Sequence, residues 1–420
     1  MKIVNIRLSD YEKLLKNNNL DSFYQSIPYG ILMSKFGFKA SYLGFVHNGL
    51  LVGASLILCI PIFMGFKYAY APHGLIINYR DKSIVPDLVK KLRRYLFNQS
   101  CLILKIDPLI IKSIRDKKGN IIKANENIDE IMTLLTKTGF KHCGFNNYME
   151  SVKPRWHAEL DLQNKEAINL FYGLEKNVRN KLRKATKFGV EIYKDSSNNV
   201  EQMYEFIKDK GNYSLRYYQE FKNCFKDEFE IYLAKINTEA YVINSKSLYE
   251  NEAERNDHLN DIIQNEGSRG KDMRVVLNKK MESDKILASY KKHLVVATNL
   301  LKEYPDNLVI GGAIVINHND KIYLLIEGYN PQYGNLCPGY LTKWKIIEKY
   351  ANSNIKKFDM NAISGDFTEK NKYKGLNEAK LGYNSDALEY IGEFNLIVNK
   401  AMYSLYINTK DKYSLKDAKK

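Results

Sequence analysis

The sequence predicts an α+β protein of two similar mixed units, the second of them interrupted by an antiparallel helical arm. Three observations carry that expectation. Apolar runs of strand length alternate with stretches of helical spacing, the alternation resumes after about residue 150, and the segment 244–304 departs from it altogether. The chain has 420 residues, 45% hydrophobic and 27% charged. That is long enough for two or three domains at roughly 150 residues each, and its composition is neither disordered nor membrane-spanning.

In the first unit, 1–150, strands are expected over 40–47, 51–60, 68–77 and 102–107, with a helix over 83–98 whose Val85, Leu88, Val89, Leu92, Tyr95 and Leu96 share a face. The apolar run 50–65 falls short of the ~20 residues a spanning helix needs. It also contains Gly53 and Pro61, so it reads as a buried strand pair or a strand and turn. The second unit opens with a strand over 156–162, a basic helix over 166–188 and a strand over 190–193. Helices over 203–210 and 217–225 and a strand over 230–236 follow.

Between 244 and 304 the style changes. Leu248, Leu259, Ile262 and Ile263 mark one amphipathic helix, and Val276, Leu277, Met281, Ile286, Leu287, Tyr290 and Leu294 another. The intervening Asn265-Glu-Gly-Ser-Arg-Gly-Lys271 is a turn signal, so the pair forms a helical hairpin with a narrow apolar stripe. Beyond it come an apolar hairpin over 308–317 and 321–329, a Gly/Pro-containing loop, a helix over 340–352 and a strand over 356–360. The arm therefore interrupts a domain made of 151–243 and 305–396, and a basic tail occupies 397–420.

Sixty-four Lys and Arg against 48 Asp and Glu leave a formal charge of +16. Such a balance favours a polyanionic partner: nucleic acid, a phosphorylated substrate or an anionic membrane surface. The start has no apolar h-region, so a cytoplasmic location is expected. The five cysteines stand singly, with no CxxC, HxxxH or Cys/His cluster, which argues for free thiols and against a zinc site. P-loop, Rossmann, nucleophile-elbow and paired-His motifs are absent. An enzyme of this sequence would work by positioning and electrostatics, without metal or covalent nucleophile.

Four features could carry chemistry. The loop 330–339 leads into a helix N-terminus, where unpaired N–H groups can meet an acyl or phosphate group. Lys176, Arg179, Arg183 and Lys187 lie three or four apart on the basic helix and can neutralise phosphates. Asp107 ends a buried-looking strand before Pro108, where a carboxylate can accept a proton, orient an amine or simply cap a turn. Lys380 is an isolated cation near a Gly turn.

Ile363-Ser-Gly-Asp-Phe-Thr-Glu369, Lys380-Leu-Gly-Tyr-Asn384 and Glu389-Tyr-Ile-Gly-Glu-Phe394 resemble the C-terminal signature of the FemABX family. Tyr24-Gln25 with Lys35, the turn Tyr70-Ala-Pro-His-Gly74, Lys105-Ile-Asp-Pro108, Arg155-Trp-His157, Arg179 and Gly339-Tyr340 with Trp344 agree in the same order along the chain. The resemblance implies two GNAT-like acyltransferase subdomains with an inserted coiled-coil arm. It implies transfer of Gly, Ala or Ser from aminoacyl-tRNA, a co-substrate with no further cofactor, to the stem-peptide amine of lipid II or of UDP-MurNAc-pentapeptide. A Fem-like homo- or hetero-oligomer and peripheral contact with the inner membrane face, to which the tail could contribute, are further implications.

By the same resemblance, Lys35 and Arg216 meet the diphosphate-sugar precursor, with Tyr70 and His73 in the substrate-binding turn. Asp107 would serve as base or amine-orienting group. Lys380 would stabilise the tetrahedral intermediate, and Lys176, Arg179, Arg183 and Lys187 would hold tRNA phosphates. The chain also departs from the family pattern. His73 and Leu75 replace an arginine and a proline, Ala379 and Leu381 replace an aromatic and a cation, and Glu327 stands where FemA-like members have small residues. These departures point to a different amino-acid or acceptor preference. The alternative is a non-catalytic Fem-like protein that binds tRNA or a partner.

Overall fold

The computed structural model describes residues 1–16, 22–211, 213–267 and 272–408. The expected arm turn lies partly, and the end of the basic tail wholly, outside the described residues. Among the described residues the chain forms an eight-stranded and a nine-stranded sheet. The first runs Lys2–Asn5, Lys39–His47, Leu50–Phe63, Phe66–Ala71, Cys101–Ile106, Phe394–Ile397 and Phe140–His142, with Ile76–Ile77 paired to Leu50–Phe63. The second runs Val190–Lys194, Phe229–Ile236, Leu308–His318, Lys321–Tyr329, Lys357–Ala362, Trp156–Asp161, Asp386–Tyr390, Ile111–Arg115 and Ile121–Ala124.

The long apolar run is one strand, Leu50–Phe63, followed by a turn. It is apolar on both faces because each face meets a core. Ile57 and Cys59 pack toward Val85, Leu88 and Leu92 of the helix Ile84–Asn98. Ala54, Leu56 and Leu58 join a second core that includes Phe221, Phe229, Ile314 and Tyr323 from the other unit. Phe23 sits in this shared core, its ring 4.9 Å from Tyr323 and 5.9 Å from Phe225. The two units are therefore welded by buried apolar surface.

The expected division at residue 150 is crossed twice. Ile111–Arg115 and Ile121–Ala124 leave the first half to edge the second sheet, and Phe394–Ile397 returns from the C-terminus into the first, between Cys101–Ile106 and Phe140–His142. A charged hub holds the crossing. Glu389 accepts from Lys112 at 2.9 Å, Ser113 at 2.6 Å, Arg115 at 3.1 Å and Arg155 at 2.9 Å. Burial by itself would raise the Glu389 carboxyl, but the donors Ser113, Lys112 and Arg155 outweigh it and bring it down to about 2.

Two expected elements break. The strand over 68–77 ends at Ala71, because His73 adopts a left-handed φ of 54° and turns the chain. The helix over 166–188 is two helices, Ala167–Gly173 and Lys176–Lys187. Leu174 and Glu175 between them are extended. Leu174 is buried, and the Arg179 guanidinium bonds the Tyr172 and Leu174 carbonyls at 3.1 and 2.6 Å, satisfying the groups the break exposes.

The arm consists of Thr238–Gly267 and Arg274–Glu303, 30 residues each. It starts as soon as Phe229–Ile236 ends and returns at Leu308, which pairs with Ile236. A polar layer fixes its register: Ser283, fully buried, donates to Glu252 at 2.5 Å, and Asn256 donates to Ser283 at 3.1 Å and to Asp284 at 2.9 Å. The described start of the tail is a helix, Lys400–Asn408, whose Tyr406 packs with Ile60, Tyr68 and Ile103 of the first unit. No helix among the described residues is long and apolar enough to cross a membrane.

Replacing Glu389 by Ala leaves a 2%-exposed Arg155 without its carboxylate. Urea unfolding is expected to show a loss of about 3–5 kcal/mol. In the native protein the Glu389 contribution is complete above its unfolded pKa of about 4.3 and disappears as pH falls through the folded value near 2, so the variant's deficit narrows in acid.

Candidate active site

Each sheet contains one parallel pair joined by a crossover helix, and the two pairs differ. In the first sheet Phe66–Ala71 stays paired with Cys101–Ile106 as far as Ala71 and Ile106. In the second, Lys321–Tyr329 meets Lys357–Ala362 only at Lys321–Tyr323 and Lys357–Asp359, and the strands then part. Asn361, at a left-handed φ of 66°, spans the gap by donating to the Leu324 and Leu325 carbonyls at 3.1 and 3.3 Å.

Buried charges hold the closed end of this wedge. Lys321 bonds Glu159 at 2.6 Å and pairs with Asp359 at 3.3 Å, Lys357 bonds Glu159 at 2.7 Å, and His157 Nδ1 lies 3.0 Å from Asp359. Burial would raise the Asp359 carboxyl, yet His157 and Lys321 hold it far below the usual carboxylate range. These residues stand on three strands distant in sequence, and only His157 falls within a motif noted in the sequence, Arg155-Trp-His157.

The open end is a cleft of about 560 Å³ lined by Tyr24, Lys153, Lys210, Tyr213, Tyr217, Tyr218, Leu324 to Glu327, Met360 to Ala362 and Lys380. Lys380 enters from the helix Lys374–Leu381. Asn377 anchors that helix by pairing its side-chain amide with both the N–H and the carbonyl of Ser364 at 2.9 Å. The Ser364 turn of the signature thus anchors the helix that carries Lys380. Its ammonium donates to the Ala362 carbonyl at 2.8 Å. Burial, opposed by Glu327 and reinforced by Lys343, lowers its pKa to about 8.

Glu327 and Lys343 complete this wall. Lys343, 3% exposed, donates to both Glu327 oxygens at 2.9 and 2.7 Å, while the Glu327 side chain keeps 22% of its surface. The loop into the helix Pro338–Tyr350 could offer N–H groups to a phosphate or acyl oxygen or serve only as a strand–helix connection. The structure instead sets a resident carboxylate there: a Cβ on Gly339 would lie 3.4 Å from Glu327 Oε2, and Pro338 has no N–H to give. An anion is already in place.

Asp107 lies behind this cleft, outside its lining. Its oxygens accept from Tyr70 Oη at 2.5 Å and from the His73 backbone N–H at 2.6 Å, so it secures the preceding turn. Burial raises its carboxyl to about 7 against those two hydrogen bonds. His73 Nδ1 pairs with Ser22 Oγ at 2.8 Å, and burial, with Lys153 and His157 nearby, keeps the ring neutral. Where the resemblance implied an anion-binding cation, His73 offers only a hydrogen bond. Tyr24 connects the two clusters. Its ring lies 4.9 Å from His73, carries the Lys153 ammonium 3.5 Å above it and faces the cleft.

Lys35 and Arg216 come together on adjacent helices outside the Lys380 cleft lining. Lys35 pairs with Glu220 at 2.6 Å and Arg216 lies 5.6 Å from the Phe36 ring, next to the cleft residue Tyr217. The basic stripe is divided. Lys176 and Arg183 are exposed, Arg179 caps the broken helix, and Lys187 bonds Tyr290 of the arm at 3.0 Å. Sequence reasoning found Lys380 and flagged Glu327 only as a departure. It named Tyr24 but missed Lys343 and the wall tyrosines Tyr213, Tyr217 and Tyr218.

The chain is an acyltransferase by its family and relatives. Its family can be stated too: a profile of the FemAB family matches residues 6–410, and the chain belongs to that family. It is 27% identical to the aminoacyltransferase FemA of Staphylococcus epidermidis over 422 residues, covering 98% of this chain and 99% of that one. It is 25% identical to the aminoacyltransferase FemA of Staphylococcus aureus over 419 residues, with 98% of each covered. The crystal structure of FemX shares the fold, with a TM-score of 0.71 at 17% identity over 96% of this chain and 99% of that one.

Competitive acetylation read by peptide mass spectrometry is expected to show Lys380 titrating near pH 8. Lys35, raised by its hydrogen bond to Glu220, should titrate above the usual lysine value. Glu327→Gln should move the Lys380 midpoint lower still, because Glu327 is a group that favours its charged form.

Proposed function

We propose that this protein transfers a single amino acid, Gly, Ala or Ser, from aminoacyl-tRNA to the stem-peptide amine of a peptidoglycan precursor, with lipid II the favoured acceptor. The observation that carries the reading is a buried lysine in the wedge of a chain that matches FemA-named aminoacyltransferases end to end. The acceptor amine attacks the ester carbonyl, the carbonyl oxygen gains negative charge, and the C–O bond to the tRNA ribose breaks. The amine proton ends on the departing ribose hydroxyl. Lys380 as ammonium stabilises the oxyanion, and holding both reactants in the wedge supplies proximity.

Asp107 acts here as a positioning residue: its carboxylate fixes Tyr70 and the His73 turn behind Tyr24. Lys35 and Arg216, beside the mouth, take the diphosphate of the acceptor, with Glu220 exchanging its hold on Lys35. Lys176 and Arg183 take tRNA phosphates from the exposed helix face. A non-catalytic reading has no use for an open cleft that reaches Lys380, and nothing in the site favours it.

Activity needs the Asp107 carboxylate, populated above about pH 7, and the Lys380 ammonium, populated below about pH 8. The kcat/KM profile is therefore expected to be bell-shaped between those values. Lys380→Met should remove the alkaline limb and lower kcat by about 10²–10³-fold. Measurement is by mass gain of lipid II with charged tRNA; full activity in Lys380→Met would defeat the assignment. For tRNA binding, Lys176→Ala with Arg183→Ala should weaken affinity and reduce the slope of log K against log salt by about 2, one per phosphate contact.

A further inference from the structure

The cleft around Lys380 contains a charge that oxyanion stabilisation does not use. Among the described lining residues Glu327 is the sole carboxylate, facing a wall otherwise made of lysines, tyrosines, Asn361 and apolar groups. Its inner side is taken by Lys343 at 2.7 and 2.9 Å and its Oε2 is reached by Tyr329 at a long 3.4 Å. A carboxylate has about four lone-pair sites, so acceptor capacity remains on the side that is 22% exposed. The surroundings also keep it ionised: burial works against the charge, but Lys343 and Lys380 hold its pKa below the usual value. Were Glu327 only a partner for Lys343, both side chains could be covered alike; instead Lys343 is 3% exposed and Glu327 is turned to the cleft.

We propose that Glu327, held by Lys343, is the binding site for the α-ammonium of the aminoacyl group, and so selects aminoacyl esters over uncharged acyl esters. The proposal rests on the transferase reading above. The chemistry of that substrate leads to it: an aminoacyl ester carries a cation on the carbon next to the carbonyl that Lys380 must polarise. A site with Lys380 alone would repel this cation. A carboxylate on the same wall gives it a charge-assisted hydrogen bond and fixes which face of the carbonyl meets Lys380. The helix start beside Gly339 already has the Glu327 carboxylate next to it, so this end of the wedge carries a negative charge that suits a positive group. Glu327 does not reach the developing oxyanion in this scheme. It is a specificity residue, and Lys343 a positioning residue that acts through it.

The test compares alanyl-tRNA with lactyl-tRNA, and glycyl-tRNA with glycolyl-tRNA, the hydroxyacyl forms being made by nitrous-acid deamination of the same charged tRNA. Acceptor and full-length enzyme stay constant, and the lipid product is weighed. Wild-type enzyme is expected to prefer the aminoacyl form by about 10- to 100-fold in kcat/KM, the range of a hydrogen bond to a charged group. Glu327→Gln should bring the ratio to within about threefold. Lys380→Met should slow both substrates and leave the ratio unchanged, which separates recognition from catalysis. If Glu327→Gln folds poorly with Lys343 unpaired, the double variant Glu327→Gln/Lys343→Gln removes both charges at nearly constant volume and should give the same collapse. A wild-type enzyme that uses both forms equally, or a folded variant that keeps the wild-type ratio, overturns the ammonium site while the transferase stands. Transfer of neither form by wild-type enzyme overturns both.

Discussion

Glu389 is the constraint on which the architecture turns. It sits on a strand of the C-terminal segment, and three of its four donors come from the strand Ile111–Arg115 of the first half. The fourth, Arg155, comes from the linker that opens the second half and also bonds the Tyr390 carbonyl at 2.9 Å. One carboxylate thus ties together the segments through which the halves exchange strands. Its neighbour Glu393 repeats the device on a smaller scale, bonding Lys105 at 2.5 Å and the Val152 N–H at 2.6 Å. The shared aromatic core around Phe23 then acts on units already held in register, so the cleft between them has walls from both.

The wedge follows from the same kind of economy. Lys321, Glu159, Asp359 and His157 form one buried network at the paired end, and just beyond it Asn361 leaves the β region and props the strands open. The first sheet lacks this arrangement at Tyr70 and Lys105, and its parallel pair stays shut. Of the two parallel pairs, the second opens into the cleft. The first sheet supplies Asp107, Tyr70 and His73 as a rigid backing for Tyr24.

Much of this was legible in the sequence because local rules govern it. Hairpin strands, the helix Ile84–Asn98 and the long arm are written in periodicity, and the ordered series of short motifs pointed to Lys380 and Asp107. What was not legible depends on contacts between distant segments. The break at Leu174 depends on a guanidinium five residues on that turns back to two carbonyls, and a helical pattern alone reads straight through it. The strand exchange depends on Glu389, whose partners lie in two remote segments. Lys343 reads as one more cation on an amphipathic helix, and only the fold reveals that it faces Glu327. The tyrosines of the wall look like core aromatics because their outer edges become visible only once the strands have parted.

The place of Phe394–Ile397 has a meaning for how the protein comes into being. This strand lies inside the first sheet, hydrogen-bonded to Cys101–Ile106 on one side and Phe140–His142 on the other. During synthesis the N-terminal half emerges long before it, at roughly 5–20 residues per second. For that interval the edge of Cys101–Ile106 has no partner on that side, and the helix that later covers Tyr68 is likewise missing. The first half consequently cannot mature as a free-standing body on the ribosome; its completion waits on residues 394–408. Truncated products are left with an open sheet edge, a form that quality-control proteases and chaperones are built to find.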